Sequence, residues 1–180
     1  MSLLKFYHHQ VKQQLLMLDQ SQLKALKALD SLAQQLSKKP PQQGLVNKNT
    51  VKITQGIYLW GKVGRGKTML MDMFYQYLPI QNKRRIHFHY FMDQVHQQLL
   101  ALTGQSDPLK IIAKKWAKEL DIICFDEFFV NDIGDAMLLA GLFSALFTEN
   151  LVLVATSNCA PEQLYRQGLQ RERFLPTISL

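Results

Sequence analysis

The most specific chemical signal in the sequence is a glycine-rich run that begins at Gly61. It fulfils the spacing G-x-x-x-x-G-K-[ST] directly after the apolar segment that ends at Trp60. Glycines at such a turn let successive backbone N–H groups point at one anion, and the N-terminus of the following helix adds its positive dipole. The run therefore predicts a nucleotide-phosphate site formed by Gly61, Lys62, Val63, Gly64, Arg65, Gly66, Lys67, Thr68 and Met69.

The end of this run and a later pair of acids complete the predicted chemistry. We expect Lys67 to reach the terminal phosphates and Thr68 to offer a hydroxyl ligand to magnesium. Asp126 and Glu127 follow the apolar run Ile122–Phe125. Asp126 is expected to hold the magnesium, and Glu127 to orient and deprotonate a water in line with the γ-phosphate. Such an acid pair alone could cap the next helix, but together with the glycine-rich run it indicates ATP hydrolysis.

Three further polar residues are weaker candidates. Asn158 follows an apolar run and could hydrogen-bond the attacking water or the γ-phosphate, or it could cap a helix before Pro161. Arg171 and Arg173 lie in an otherwise apolar segment, where a guanidinium reaching a neighbouring subunit's γ-phosphate would stabilise the transition state. The alternative for each arginine is a solvated ion pair with Glu172.

The pattern from residue 51 onward predicts the α/β framework that would position these side chains. Short β-branched or aromatic runs alternate with longer helical patterns, which is typical of a parallel sheet with crossover helices. The predicted strands are 56–60, 85–90, 121–125 and 151–155, and the predicted helices lie near 67–78, 92–103, 109–119, 132–149 and 161–168. In such sheets the functional site lies beyond the carboxyl ends of the strands.

The first part of the chain predicts two amphipathic helices within residues 1–37, with a break near Asp19. Their apolar stripe consists of leucines 15, 16, 18, 23, 26, 29, 32 and 36. We expect these helices to pack on the main domain as a layer, because fewer than three clean heptads are present for a separate coiled coil. Residues 38–50 read as a linker, which leaves 51–180 as the nucleotide-binding domain.

Composition excludes several classes of protein. The chain has 180 residues, 47% of them hydrophobic and 19% charged, which is enough apolar surface for a folded domain. Cys124 and Cys159 have no metal-ligand spacing, which favours buried thiols and a reducing compartment. The N-terminus lacks a signal-peptide pattern, and the apolar stretch Met137–Phe147 is about half the roughly 20 residues that a bilayer requires. We therefore expect a cytoplasmic protein without a transmembrane segment.

Charged residues suggest two other kinds of site, both weakly. The net charge of +7 is concentrated in residues 1–120. The run Lys83–Arg85, with lysines 110, 114, 115 and 118, could form a nucleic-acid face, but no aromatic residues interleave and a solvated surface is favoured. His87 and His89 alternate along one predicted strand and His96 lies on the next helix, but no third ligand has recognisable spacing, so we predict no zinc site.

The chain also resembles the ATPase-family-gene-one group of AAA+ ATPases, nearly from end to end. The resemblance rests on Gly56–Trp60 leading into the glycine-rich run and Met69–Asp72, on His87–His89 with Phe91 and Met92, and on Cys124–Val130, Val154–Asn158 and Gly168–Pro176. It implies that Lys67 and Thr68 are the Walker A pair, Asp126 and Glu127 the Walker B pair, Asn158 the sensor-one residue, and Arg171 or Arg173 the arginine finger. Tyr90 departs from the family, which usually has arginine there.

The resemblance further implies a P-loop NTPase fold of the AAA+ ASCE type with strand order 1-4-3-2. It implies ATP and magnesium as ligands, a homo-oligomer, and hydrolysis coupled to remodelling of a protein partner, which for the bacterial branch is the tubulin-like division protein FtsZ. Family members continue well past the position of Leu180, so we expect the last core strand and the helical lid to be missing. Two alternatives stay open: a helicase-loader-like protein acting on nucleic acid, and an inactive module that only binds the partner.

Overall fold

A four-stranded parallel sheet forms the centre of the protein, as shown by a computed structural model that describes residues 2–38 and 54–180. Its strands are Ile57–Trp60 (β1), Lys83–His87 (β2), Ile122–Asp126 (β3) and Val152–Ser157 (β4). Their order in the sheet is β1-β4-β3-β2, and all three pairings are parallel. This confirms the α/β class predicted from the sequence pattern and the strand order implied by the family resemblance.

Seven α-helices in the described residues surround this sheet. They are Leu3–Lys12 (α1), Gln20–Ser37 (α2), Lys67–Tyr77 (α3), Phe88–Ala101 (α4), Pro108–Glu119 (α5), Ile133–Thr148 (α6) and Arg171–Ser179 (α7). One face of the sheet, which includes Cys124 and Val154, packs in a single apolar cluster with α1, α2 and α3. The opposite face, which includes Phe125 and Leu153, packs with residues of α4 to α7. Alternate residues of each buried strand therefore serve two different cores.

The N-terminal helices are part of the first of these cores. Leu26, Leu29, Leu32 and Leu36 of α2 are buried in the same cluster as α3 and β4, as expected of a helical layer on the main domain. The predicted stripe was wrong for leucines 15, 16 and 18, which lie between α1 and α2, with leucines 15 and 18 exposed. The predicted break is confirmed: the side chain of Asp19 caps α2 by accepting hydrogen bonds from the first-turn N–H groups. The predicted linker lies, except for its first residue, outside the described residues.

The second predicted strand was placed too far along the chain. The strand ends at His87, and residues 88–90 belong to α4 instead. Phe88, Phe91, Met92 and Val95 are buried, and their spacing of three, four and seven is that of one helical face. Burial of this stripe against the sheet favours the helix over the β-propensity of the aromatic residues. His87 and His89 therefore do not share a strand face.

The predicted helix at 161–168 was also wrong. Only a single 3₁₀ turn, Pro161–Gln163, forms there, and a turn in which Gly168 N–H donates to the Tyr165 carbonyl follows it. The chain then forms α7, which the sequence did not predict and which buries Phe174 and Thr177, three residues apart. Of the two free cysteines, Cys124 is buried as predicted, whereas Cys159 is only half-buried. In the described part of the chain, no helix is both long and apolar enough to cross a bilayer.

Candidate nucleotide-binding site

The glycine-rich run forms a tight turn between β1 and the first residue of α3. Gly64 and Gly66 have φ angles of +82° and +79°, which residues with a Cβ atom rarely adopt. A Cβ atom at Gly66 would also lie 2.9 Å from Nε2 of Gln22, whose amide donates to the Arg65 carbonyl at 3.3 Å. The turn therefore requires glycine at these positions, and α2 contacts it from the side.

A cavity of about 460 Å³ opens above this turn, at the carboxyl ends of β1, β3 and β4. The structure brings together here residues from three of the predicted motifs. The lining residues are Val63, Gly64, Arg65, Gly66, Lys67, Thr68, Glu127, Thr156, Ser157 and Asn158. An anion in this cavity would meet the N-terminus of α3 and its positive dipole.

Lys67 turns its ammonium group back onto the turn itself. Its Nζ donates to the carbonyl of Gly61 at 2.6 Å and to that of Lys62 at 3.0 Å. An ammonium group has three donors, so this arrangement leaves one for a phosphate. Desolvation lowers the pKa of Lys67. The lysine is therefore held over the turn by two carbonyl groups, beside the cavity in which a phosphate would lie.

Glu127 occupies a strained backbone conformation at the rim of the cavity. Its φ angle is +55°, in the left-handed region that is unfavourable for a residue with a long side chain. The neighbouring strand supports this conformation: Glu127 N–H donates to Thr156 Oγ1 at 3.3 Å, and Phe128 N–H donates to the Thr156 carbonyl at 2.7 Å. The carboxylate is exposed, and its Oε2 lies 3.9 Å from Nδ1 of His87. A carboxylate held in this way can accept a proton from a water in the cavity.

Asp126 lies deeper than its neighbour and does not line the cavity. Its carboxylate is held by Arg85, whose Nε donates to Oδ2 at 2.6 Å and whose Nη2 donates to Oδ1 at 3.2 Å. Nη1 of the same guanidinium donates to Asp72 Oδ1 on α3. Burial alone would lower the pKa of Arg85, but the hydrogen bonds to Asp126 and Asp72 outweigh it, so the pKa is raised. Arg85 is therefore firmly cationic between two carboxylates.

The residues predicted to bind magnesium fit that ion by their donor chemistry. Magnesium prefers carboxylate and hydroxyl oxygens, and Thr68 and Asp126 offer one of each. Asp72 lies four residues after Thr68, hence on the same face of α3. Because Arg85 bridges Asp72 and Asp126, the Asp126 carboxylate lies on the side of the sheet that faces Thr68.

The remaining predicted site residues lie in different surroundings. Asn158 lines the cavity, whereas Met69 is half-buried against the cluster of α1, α2 and α3. Arg171 and Arg173 are on α7, outside the cavity lining. Arg171 Nη2 donates to the Glu162 carbonyl at 2.7 Å, and its buried Nε has no hydrogen-bond partner among the residues that the structure describes. Arg173 is exposed, and its action on a neighbouring subunit stays a prediction.

Sequence reasoning missed the supporting residues Asp72, Arg85 and Thr156. Asp72 could have been found from its spacing to Thr68 on the predicted helix. Arg85 pairs in register with Cys124, two residues before Asp126, but this signal exists only once the strand order is known. Thr156 lies within the predicted strand-end segment, yet its hydrogen bonds to the backbone of 127 and 128 depend on the pairing of β3 with β4.

The side chains of the run Lys83–Arg85 form hydrogen bonds within the chain. Lys83 Nζ donates to the carbonyls of Tyr75 and Leu78, and Arg84 Nη2 donates to Gln94 Oε1 at 2.9 Å. With Arg85 bound to carboxylates, these three cations do not form an open face for phosphates. The geometry thus disfavours a nucleic-acid face at this run. The expectation of a solvated surface was also wrong for it, because all three side chains are hydrogen-bonded within the chain.

Comparison with known proteins identifies the family. The profile described as AFG1-like ATPase matches residues 1–180. The chain belongs to the AFG1-like ATPase family. It is 63% identical to the cell division protein ZapE of Escherichia coli K12 over 124 residues, which are 69% of this chain and 33% of ZapE. The chain thus spans about a third of the length of this relative.

Solved structures show the same fold at low sequence identity. DnaI superposes with a TM-score of 0.59 at 17% identity, covering 91% of this chain and 79% of DnaI. A replication initiator DnaA bound to AMPPCP and single-stranded DNA superposes with a TM-score of 0.58 at 15% identity, covering 91% of this chain and 46% of that one. These similarities show that the chain has the same overall fold as these two proteins.

Proposed function

We propose that this chain binds ATP with magnesium and hydrolyses it to remodel a protein partner. The observation that carries the proposal is the cavity in which the glycine-rich turn, Lys67, Thr68, Glu127 and Asn158 meet. Membership of an ATPase family supports it. Each part of this cavity suits one part of a nucleoside triphosphate undergoing attack by water.

The residues divide the work according to their positions. The N–H groups of the turn and Lys67 bind the phosphates, and Asn158 hydrogen-bonds the γ-phosphate or the attacking water. Glu127 orients that water and accepts its proton. Thr68 and Asp126 hold the magnesium ion, which when bound neutralises charge on the phosphate oxygens. Arg171 or Arg173 supplies the finger to a neighbouring copy in a homo-oligomer.

The proposed partner is an FtsZ-like division protein, encountered in the cytoplasm at the division site. The identity of 63% to a cell division protein supports this partner. Hydrolysis in this cavity would alter contacts of the turn and of Asn158 at the end of β4, and so transmit the state of the nucleotide to the sheet. Co-sedimentation with FtsZ polymers, in the presence of ATP or of ADP, tests the partner. Equal binding with both nucleotides would contradict coupling between hydrolysis and partner binding.

A phosphate-release assay on Glu127→Gln tests the hydrolytic role. We expect ATP to bind with near-normal affinity and phosphate release to fall about 100-fold or more, because the general base is lost while its shape is retained. Glu119→Gln, at the exposed end of α5, is the matched control and should keep the wild-type rate. Equal rates in Glu127→Gln and wild type would remove Glu127 from the mechanism. Absence of measurable ATP affinity in the wild type would favour the inactive partner-binding module.

The exposed lysines of α5 favour one second candidate, binding to nucleic acid. Lys114, Lys115 and Lys118 are exposed on this helix, and a helicase loader would use such charges on phosphates. Affinity for single-stranded DNA should then fall steeply with salt, and replacement of the three lysines by glutamine should flatten that slope. A weak affinity with the same slope in both proteins would exclude this candidate.

A further inference from the structure

The guanidinium of Arg85 is hydrogen-bonded to the carboxylate of Asp126, which is expected to bind the magnesium ion. Both oxygens of Asp126 accept hydrogen bonds from it, at 2.6 and 3.2 Å. The Arg85 side chain is 23% exposed and that of Asp126 only 11%. The contact is therefore partly shielded from water, where charge interactions are stronger than at an open surface.

The position of Arg85 follows from the sheet register and from α3. Arg85 pairs with Cys124, so it shares a sheet face with Asp126 two residues further along β3. That face is covered by α3, which carries Asp72, the second partner of the guanidinium. Because Thr68 lies one turn before Asp72 on the same helix face, Arg85 is a permanent cation beside the predicted metal ligands.

We propose that Arg85 is the counter-cation of the magnesium carboxylate, neutralising Asp126 in the metal-free chain and lowering the affinity of the chain for the divalent ion. This inference rests on the proposed function. A divalent cation at Asp126 must share the carboxylate with a guanidinium, and like charges so close repel each other. Asp72 limits the repulsion, because it draws part of the positive charge away from Asp126. The site is thus set to hold metal weakly unless the phosphates of a nucleotide add negative charge.

A purely structural ion pair is the competing explanation, since the same contacts tie β2 and β3 to α3. The two explanations differ in what happens to metal binding when the charge is removed. A structural role predicts that loss of Arg85 disorders Asp126 and weakens metal binding. A counter-cation role predicts that metal binding becomes tighter although the metal-free chain becomes less stable.

Manganese titrations followed by electron paramagnetic resonance, with ADP present so that no turnover occurs, separate these explanations. In Arg85→Gln we expect Mn²⁺ to bind at least about fivefold more tightly, as loss of a cation next to a divalent ion requires even with strong screening. Arg85→Lys keeps the positive charge but loses the paired N–H donors of the guanidinium, so its affinity for Mn²⁺ should stay within about twofold of that of the wild type. Thermal unfolding in EDTA should show a lower Tm for Arg85→Gln.

Asp72→Asn provides an independent test, because it should change the affinity for Mn²⁺ in the opposite direction to Arg85→Gln. With its second partner gone, the guanidinium charge falls wholly on Asp126, so Mn²⁺ should bind about threefold or more weakly. In the Arg85→Gln background the same change should have a smaller effect, because it acts through Arg85. If Arg85→Gln does not fold, Asp72→Asn and Arg85→Lys decide the matter.

Three results would overturn the inference. They are a folded Arg85→Gln chain that binds Mn²⁺ no more tightly than the wild type, an Arg85→Lys chain that tightens as much as Arg85→Gln, and an Asp72→Asn chain with unchanged affinity. A wild-type chain that binds ADP but no Mn²⁺ would overturn the proposed magnesium site and this inference with it. Normal Mn²⁺ binding by the wild type with a wrong response of the variants would overturn the inference alone.

Discussion

Replacement of Thr156 by valine is expected to slow hydrolysis while leaving the glycine-rich turn intact. The residue is 3% exposed, and its hydroxyl accepts the Glu127 N–H at 3.3 Å. Left-handed backbone at a residue with a Cβ atom costs about 1–2 kcal/mol, and one net hydrogen bond returns about 1 kcal/mol. Valine has nearly the same shape but no acceptor on its side chain, so Glu127 N–H would lose its hydrogen bond, whereas Phe128 N–H would still donate to the backbone carbonyl at position 156.

We expect two measurable consequences of Thr156→Val. The free energy of unfolding in urea should fall by about 1–2 kcal/mol, because a partly buried N–H loses its acceptor. The rate of phosphate release should fall about fivefold, which corresponds to about 1 kcal/mol of lost positioning. The affinity for ATP should change less than twofold, since the turn around Gly64 and the contacts of Lys67 are untouched.

Thr156→Ser is the matched control because it keeps the hydroxyl and removes only a methyl group. It should retain most of the rate, whereas its stability should fall by about 1 kcal/mol for the lost methyl contact. If the serine variant loses as much rate as the valine variant, the hydroxyl does not position Glu127 and the reasoning fails. The same conclusion would follow if both variants kept the wild-type rate.

Other groups in the structure give three further predictions. Because burial lowers the pKa of Lys67 below 10.5, affinity for a fluorescent ATP analogue should fall as pH rises through the lowered pKa. The free energy of unfolding of the nucleotide-free chain should rise over the same interval, since the unfolded state then binds more protons. Burial raises the pKa of Cys124 to about 12, so Ellman's reagent should label Cys159 first and Cys124 only after denaturation. Phe125 is fully buried, and Phe125→Ala should lower the free energy of unfolding in urea by about 3–5 kcal/mol.

The sequence was sufficient to predict the elements that depend on short-range patterns. Short β-branched or aromatic runs marked β1 and the two buried strands, β3 and β4, and helical patterns marked most of the helices. The strand order came from the family resemblance. The errors lie where tertiary burial outweighs local preference. Ile86, Phe88 and Tyr90 alternate with polar residues as in a strand, but the packing of Phe88 and Phe91 against Phe125 favours a helix from Phe88 onward. Likewise α7 contains Pro176, a residue that argues against a helix, yet the helix forms around buried Phe174.

The candidate site could be predicted to the level of motifs but not to the level of partners. The spacing G-x-x-x-x-G-K-[ST] and the pair Asp126–Glu127 each predict a function from residue types and spacing alone. The hydrogen bonds between Arg85 and Asp126 could not be predicted in this way. They join residues 41 positions apart, which only the register between β2 and β3 brings together. In the sequence, Arg85 is one of three consecutive basic residues, and nothing there indicates a carboxylate partner. Its contact with Asp126 can be recognised only once β2 is placed beside β3.

The strand order itself explains why these motifs form one cavity. In the order β1-β4-β3-β2, the last strand in sequence lies between the strand that ends in the glycine-rich turn and the strand that ends in Asp126. Asn158 therefore lies between the glycine-rich turn and Glu127, although more than 30 residues separate it from either in sequence. Had β4 joined the sheet at an outer edge, Asn158 would lie outside the cavity, and Thr156 could not support the backbone of Glu127. The insertion of β4 thus gives the candidate site both its central amide and the support for its proposed general base.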